Sequence, residues 1–110
     1  MAYQVFEEGG FSVIHLSGEI DLSNSPDVRR LVLDTLAQDR NSLVDLSAVT
    51  YIDSSGVASL VEGYQTARNR GLRFGLVNVS AAALSVLQLA HLDKVFPIQP
   101  SVQAFLGSDA

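Results

Sequence analysis

A chain of 110 residues, 47% of them hydrophobic and 17% charged, has the length of one domain and can close a core without a disulfide or metal staple. The absence of cysteine excludes disulfide frameworks, thiolate zinc centres and cysteine nucleophiles, and the only imidazoles, His15 and His91, stand too far apart in sequence to suggest a metal site. The net charge of −5 is concentrated in residues 1–55, which hold nine acids against three bases, so phosphate backbones are repelled and nucleic acid is not an expected partner.

In chain order, Tyr3–Glu7 alternates as a strand, Gly9-Gly10 marks a turn, and Phe11–Ser17 is a second strand with apolar residues on both faces, so the two form a hairpin. Ser23-Asn24-Ser25-Pro26 supplies capping side chains and an early-helix proline. The spacing of Val28, Leu31, Val32 and Leu36 predicts a helix from Pro26 to Gln38. Leu43–Ser47 reads as a short strand, and Tyr51-Ile52 leads into Asp53-Ser54-Ser55-Gly56. A second helix runs on to Arg70, with Gly71 just beyond its end. Leu72–Val77 is a further strand and Ala81–Leu89 a third helix capped by Ser80. Val95–Ile98 is extended, and Ser101–Leu106 is a short last helix. This alternation predicts an α/β fold: a mixed sheet, mostly parallel in its core with an N-terminal hairpin, packed with about four helices. Residues 1–110 are expected to form one domain. No apolar run approaches the roughly 20 residues of a membrane span, and Gln4–Ser12 is too polar for a signal peptide. The expectation is a cytoplasmic protein without direct membrane insertion.

The stretch with chemical content is Val44–Val57, which passes from strand through loop to helix start. Serines at a helix start lie beside backbone N–H groups that have no partner within the helix. A phosphate there is favoured by those groups and by the helix dipole. Asp53, Asp21 and Asp45 would then add to a negative local field, and a partner docked on this edge would lose affinity. The plainer reading is that Ser54 and Ser55 are ordinary helix caps and that Gly56 only permits a tight turn or close helix packing.

The run Asp45-Leu-Ser-x-Val-x-Tyr-Ile-Asp-Ser-Ser-Gly-Val, preceded by Gly18-Glu-Ile-Asp21, resembles a STAS domain, and more narrowly the anti-sigma-factor antagonists of bacterial partner switching. The resemblance spans nearly the whole chain and implies a STAS-like sheet. It also implies that Ser54, directly after the aspartate, accepts phosphate, with Asp21 nearby. It implies that the unphosphorylated protein binds an anti-sigma factor that is also a serine kinase using ATP, and thereby releases its target. Phosphorylation of Ser54 then ends the interaction, and a serine phosphatase resets it. The partner-binding set is Asp21, Ser23, Asn24, Asp53, Ser54, Ser55, Gly56 and Val57. Asp53 either orients Ser54 or meets the kinase-bound magnesium. Ser23 and Asn24 either line the docking edge or cap the first helix. Two departures from the family pattern are Ala58, where glycine is frequent, and Asn41-Ser42 ahead of a short strand.

The alternative is a constitutive STAS subunit of an ATP-driven membrane lipid-transport complex, in which the motif packs an interface. Catalysis is not expected: Ser54 lacks a Gly-x-Ser-x-Gly turn and a histidine with a claim to be its base, and there is no glycine-rich phosphate loop. No cofactor or metal is called for.

Overall fold

The computed structural model describes residues 3–107; residues 1, 2 and 108–110 of the expected domain lie outside the described residues. Gly9 and Gly10, at φ +60 and +87, reverse the chain between β1 (Gln4–Glu8) and β2 (Phe11–Ile20), which pair antiparallel as the hairpin pattern predicts. From there the chain alternates through α1 (Ser25–Ala37), β3 (Asn41–Ile52), α2 (Ser54–Asn69), β4 (Phe74–Val77), α3 (Ala81–Leu89), β5 (Ile98–Gln99) and α4 (Val102–Leu106). The five strands lie in the order β1-β2-β3-β4-β5, and every pair after the first is parallel. Successive parallel neighbours require a crossover each, and α1, α2 and α3 supply them.

Alternation along β2 and β3 divides the sheet's faces. Ile14, Leu16, Ile20, Val44, Leu46 and Ile52 point to the side covered by α1, α2 and α3, where Val28, Val32, Leu60, Ala83 and Leu87 meet them in the main core. Phe11, Val13, Leu43 and Val77 point the other way, where Val102 and Phe105 of α4 pack on them and the Arg73 guanidinium lies over the Phe11 ring at 4.9 Å. Gly75 lets α4 approach, because a Cβ there would lie 2.3 Å from Phe105 Cζ.

Three local expectations are corrected. The short strand at Leu43–Ser47 and the separate Tyr51-Ile52 are one 12-residue strand that starts at Asn41, so the strand ahead of Asp45 is not short. Val95 and Phe96 lie in a turn, and only Ile98–Gln99 is paired. Asn24 is the N-cap residue of α1 by position, yet its side chain makes no cap hydrogen bond. Elsewhere, α3 has the expected bounds and its Ser80 cap, and Gly71 takes φ +70 just beyond the end of α2.

Candidate functional site at the carboxyl ends of β2 and β3

The last registered pair of β2 and β3 is Ile20 with Ile52, so the chain leaves both strands side by side. In open α/β sheets, ligands bind outside the carboxyl ends of the strands. The Asp53 N–H donates to the Ile20 carbonyl at 3.0 Å and locks the two departing loops together. Asp53 then caps α2. Its Oδ1 accepts from the Ser55 hydroxyl at 2.6 Å, the Ser55 N–H at 2.9 Å and the Gly56 N–H at 3.1 Å. The Ser55 hydroxyl, then the Gly56 N–H, with lesser help from the N–H groups of Ser55 and Leu22, hold the Asp53 carboxyl below the usual carboxylate range against an opposing contribution from burial.

This arrangement separates the two serines. Ser55 is half-buried with its hydroxyl committed to Asp53. Ser54, the first residue of α2, is exposed, and among the described residues its hydroxyl has no hydrogen-bond partner. The expectation that free helix N–H groups await a phosphate is corrected in part: those of Ser55 and Gly56 are already taken by Asp53.

Gly56 and Val57 belong beneath the site. A Cβ on Gly56 would lie 2.7 Å from Ile52 Cγ1 and 2.8 Å from Ile20 Cγ2, so only glycine lets the first turn of α2 rest on the strand ends. Val57 is buried in the main core. Neither offers side-chain surface to a partner, in contrast to the sequence expectation that placed both in the partner-binding set.

The facing loop, between β2 and α1, carries Asp21, Ser23 and Asn24. Asp21 Oδ1 accepts from the Ser23 N–H at 2.9 Å and the Ser23 hydroxyl at 2.5 Å. Asn24 accepts from the Asp21 N–H at 2.8 Å and donates to the Glu19 carbonyl at 2.7 Å. Its amide thus stitches the loop to the strand end, which is why it is unavailable as a helix cap. Asp21 and Asp27 both reach the Tyr3 hydroxyl electrostatically; burial first, and then these two acids, raise the tyrosine's pKa. Asp45 does not join this acidic group. It lies seven residues before Ile52 on β3, about 20 Å away at the strand rise, and bonds the Ser47 N–H and the Asn78 amide. The sequence reading passed over Leu22, whose signal is an apolar residue set in an otherwise polar run, Asp21-Leu22-Ser23-Asn24.

A groove of about 450 Å³ leads away from Ser55 between α1 and α2, lined in part by Ser25, Arg29, Ala58 and Glu62. Arg29 spans it to Glu62 with contacts of 2.7 and 2.8 Å, a two-pronged pair that ties the helices together. Among the described residues no group of three or more His, Asp or Glu side chains is placed to hold a metal ion, and no helix is long and apolar enough to cross a membrane.

A mixed sheet with a leading hairpin, helical crossovers on one face and an Asp-Ser-Ser-Gly helix start at the strand ends defines a family, and the chain belongs to it: the STAS domain, whose family model matches residues 2–105. A crystal structure of an anti-sigma factor antagonist from Mycobacterium paratuberculosis is 30% identical with a TM-score of 0.83, over 96% of this chain and 91% of that one. An anti-sigma-factor antagonist (STAS) domain protein from Planctomyces limnophilus is 27% identical with a TM-score of 0.82, over 98% and 97% of the two chains. The anti-sigma F factor antagonist of Paenibacillus polymyxa is 27% identical over 92 residues, 81% of this chain and 78% of its own.

Proposed function

We propose that this protein is an anti-sigma-factor antagonist that switches partners through phosphorylation of Ser54. The unphosphorylated chain binds an anti-sigma factor that is also a serine kinase, and so frees that factor's target. In the bound state the Ser54 hydroxyl oxygen attacks the γ-phosphorus of the kinase's ATP. The bond to the β,γ-bridging oxygen breaks, ADP is left, and the hydroxyl proton passes to a base on the kinase. The phosphoserine then stands beside Asp53 and against the phosphates of ADP, and like-charge repulsion separates the partners. A serine phosphatase returns Ser54 to its hydroxyl. The protein acts as substrate and ligand in this cycle, and its own residues supply no catalytic group.

The observation that carries the reading is the difference between the serines: Ser54 is exposed with its hydroxyl unbonded among the described residues, while the Ser55 hydroxyl is held by Asp53. The relatives named as antagonists support the class of partner. The test is intact mass after incubation with ATP and a lysate of the protein's own host, beside Ser54→Ala. One added phosphate on the parent and none on the variant is the expected result. No phosphate on the parent, in a lysate whose kinases are active, refutes the switch and favours a constitutive STAS subunit.

A further inference from the structure

The loop between β2 and α1 is fixed by short bonds and yet turns an apolar side chain to water. Besides the bonds of Asp21 to Ser23 and of Asn24 to Asp21 and Glu19, the N–H groups of Asn24 and Ser25 both donate to the Asp21 carbonyl, at 3.1 and 2.8 Å. Leu22 lies inside this set of bonds and is 75% exposed. Its backbone N–H also stabilises the carboxylate of Asp53, the residue directly before Ser54. A slack loop would turn such a side chain back on the core; here the backbone is committed and the leucine stays out. The strand ends around it are acidic, and the bases next in sequence, Arg29 and Arg30 on α1, are paired with Glu62 and Asp27. Glu19, Asp21 and Asp53 belong to the same strand ends, and no Lys or Arg occurs in residues 19–28 or 41–67.

We infer that Leu22 is the apolar anchor by which the kinase partner docks beside Ser54, and that it enters an apolar pocket rimmed by Lys or Arg side chains. The inference rests on the reading of Ser54 as phosphoacceptor and adds what the partner recognises before phosphate is transferred. A backbone already fixed around the anchor spares the cost of ordering the loop on binding, and one desolvated side chain at the centre of a contact can carry much of its affinity. The acidic collar of Glu19 and Asp21 meets the basic rim and sets register and on-rate. The nucleotide's phosphates face Ser54, so the rim attracts the unmodified protein while the product phosphoserine is repelled by ADP.

The experiment is the rate of Ser54 phosphorylation, read by intact mass with ATP and host lysate, as a function of protein concentration. It compares the parent with Leu22→Ala, Leu22→Met and Leu89→Ala. Leu89 is 83% exposed at the end of α3 away from Ser54 and serves as the control. The half-saturating concentration is expected to rise about tenfold for Leu22→Ala with an unchanged maximal rate, while Leu22→Met and Leu89→Ala follow the parent. Higher ionic strength raises the parent's half-saturating concentration. All four proteins should melt together, because each altered side chain is exposed. Coincidence of Leu22→Ala with the parent, or a loss confined to maximal rate, overturns the anchor and leaves Ser54 as acceptor. A parent that takes no phosphate removes the acceptor reading first, and the anchor with it.

Discussion

Replacing Gly56 by alanine sets two effects of opposite sign against each other. Alanine is the better helix former by about 1 kcal/mol, and on that ground alone the variant would be more stable. The added Cβ, however, would lie 2.7 Å from Ile52 Cγ1, 2.8 Å from Ile20 Cγ2 and 3.1 Å from Ile52 Cδ1. Carbon atoms in good contact keep about 3.5–4.0 Å, so the first turn of α2 must retreat by close to 1 Å or the isoleucines must move. They have little room to do so: Ile20 is 0% and Ile52 2% exposed, and two of the three clashes meet the branch of the side chain rather than its tip. Overpacking of this kind costs about 1–3 kcal/mol, and clashes at the branch put it near the upper end. The net effect is a loss of about 2 kcal/mol, or roughly 8 °C in Tm at about 4 °C per kcal/mol for a domain of this size. Urea titrations and thermal melts followed by circular dichroism measure it. Ala58→Gly, at an exposed position of the same helix, isolates the propensity effect and should cost about 1 kcal/mol. A Gly56→Ala protein as stable as the parent, or more so, would refute the packing argument and with it the account of how Ser54 is held at the strand ends.

Asp53→Asn should change the pH dependence of stability. The carboxyl of Asp53 is held below its usual range by the Ser55 hydroxyl first and the Gly56 N–H next. Its contribution is therefore complete above about pH 4, the unfolded value, and is lost as pH falls through the lower folded value. The parent's advantage in urea midpoint over the variant should shrink on acidification, and a gap constant from neutral pH to about pH 3 would count against it. Gly75→Ala should drive α4 from the sheet, since the new Cβ meets Phe105 Cζ at 2.3 Å; adding Phe105→Ala should relieve part of that loss, and strictly additive melting shifts would contradict the contact. Leu46→Ala, at a position 0% exposed, should cost about 2–5 kcal/mol by urea titration.

Most of the fold was legible because its signals are local. The Gly9-Gly10 turn, the apolar spacing of α1 and α2 and the Ser80 cap each act within a few residues, and alternation of helix with strand then implies the parallel sheet. The second half of β3 was not legible, and the reason lies in its pairing. The register with β2 shifts between His15 and Ser17 and again between Gly18 and Glu19, so the buried residues fall at Leu46, Val49 and Ile52. A spacing of three does not read as a strand of period two, although the backbone remains extended and paired. The role of Asn24 was hidden for a related reason: its partners are the Asp21 N–H and the Glu19 carbonyl, groups whose approach depends on where β2 ends.

The same division runs through the site. Asp53-Ser54-Ser55-Gly56 can be found by spelling, and a family resemblance can prefer the first serine, but composition and spacing treat the two alike. Their difference arises from one backbone turn. Asp53, extended at φ −100 and ψ −175, directs its carboxylate over the start of α2, where it captures the hydroxyl of Ser55 and leaves that of Ser54 outside. A capping aspartate so placed fixes the helix start and at the same time selects which serine faces a partner. Its replacement should therefore blur the choice of serine as well as weaken the fold, and phosphopeptide mapping of Asp53→Asn after exposure to host kinases and ATP would show it, with phosphate found on Ser55 as well as on Ser54. Phosphate confined to Ser54 in that variant would mean that the partner, and not the cap, makes the selection.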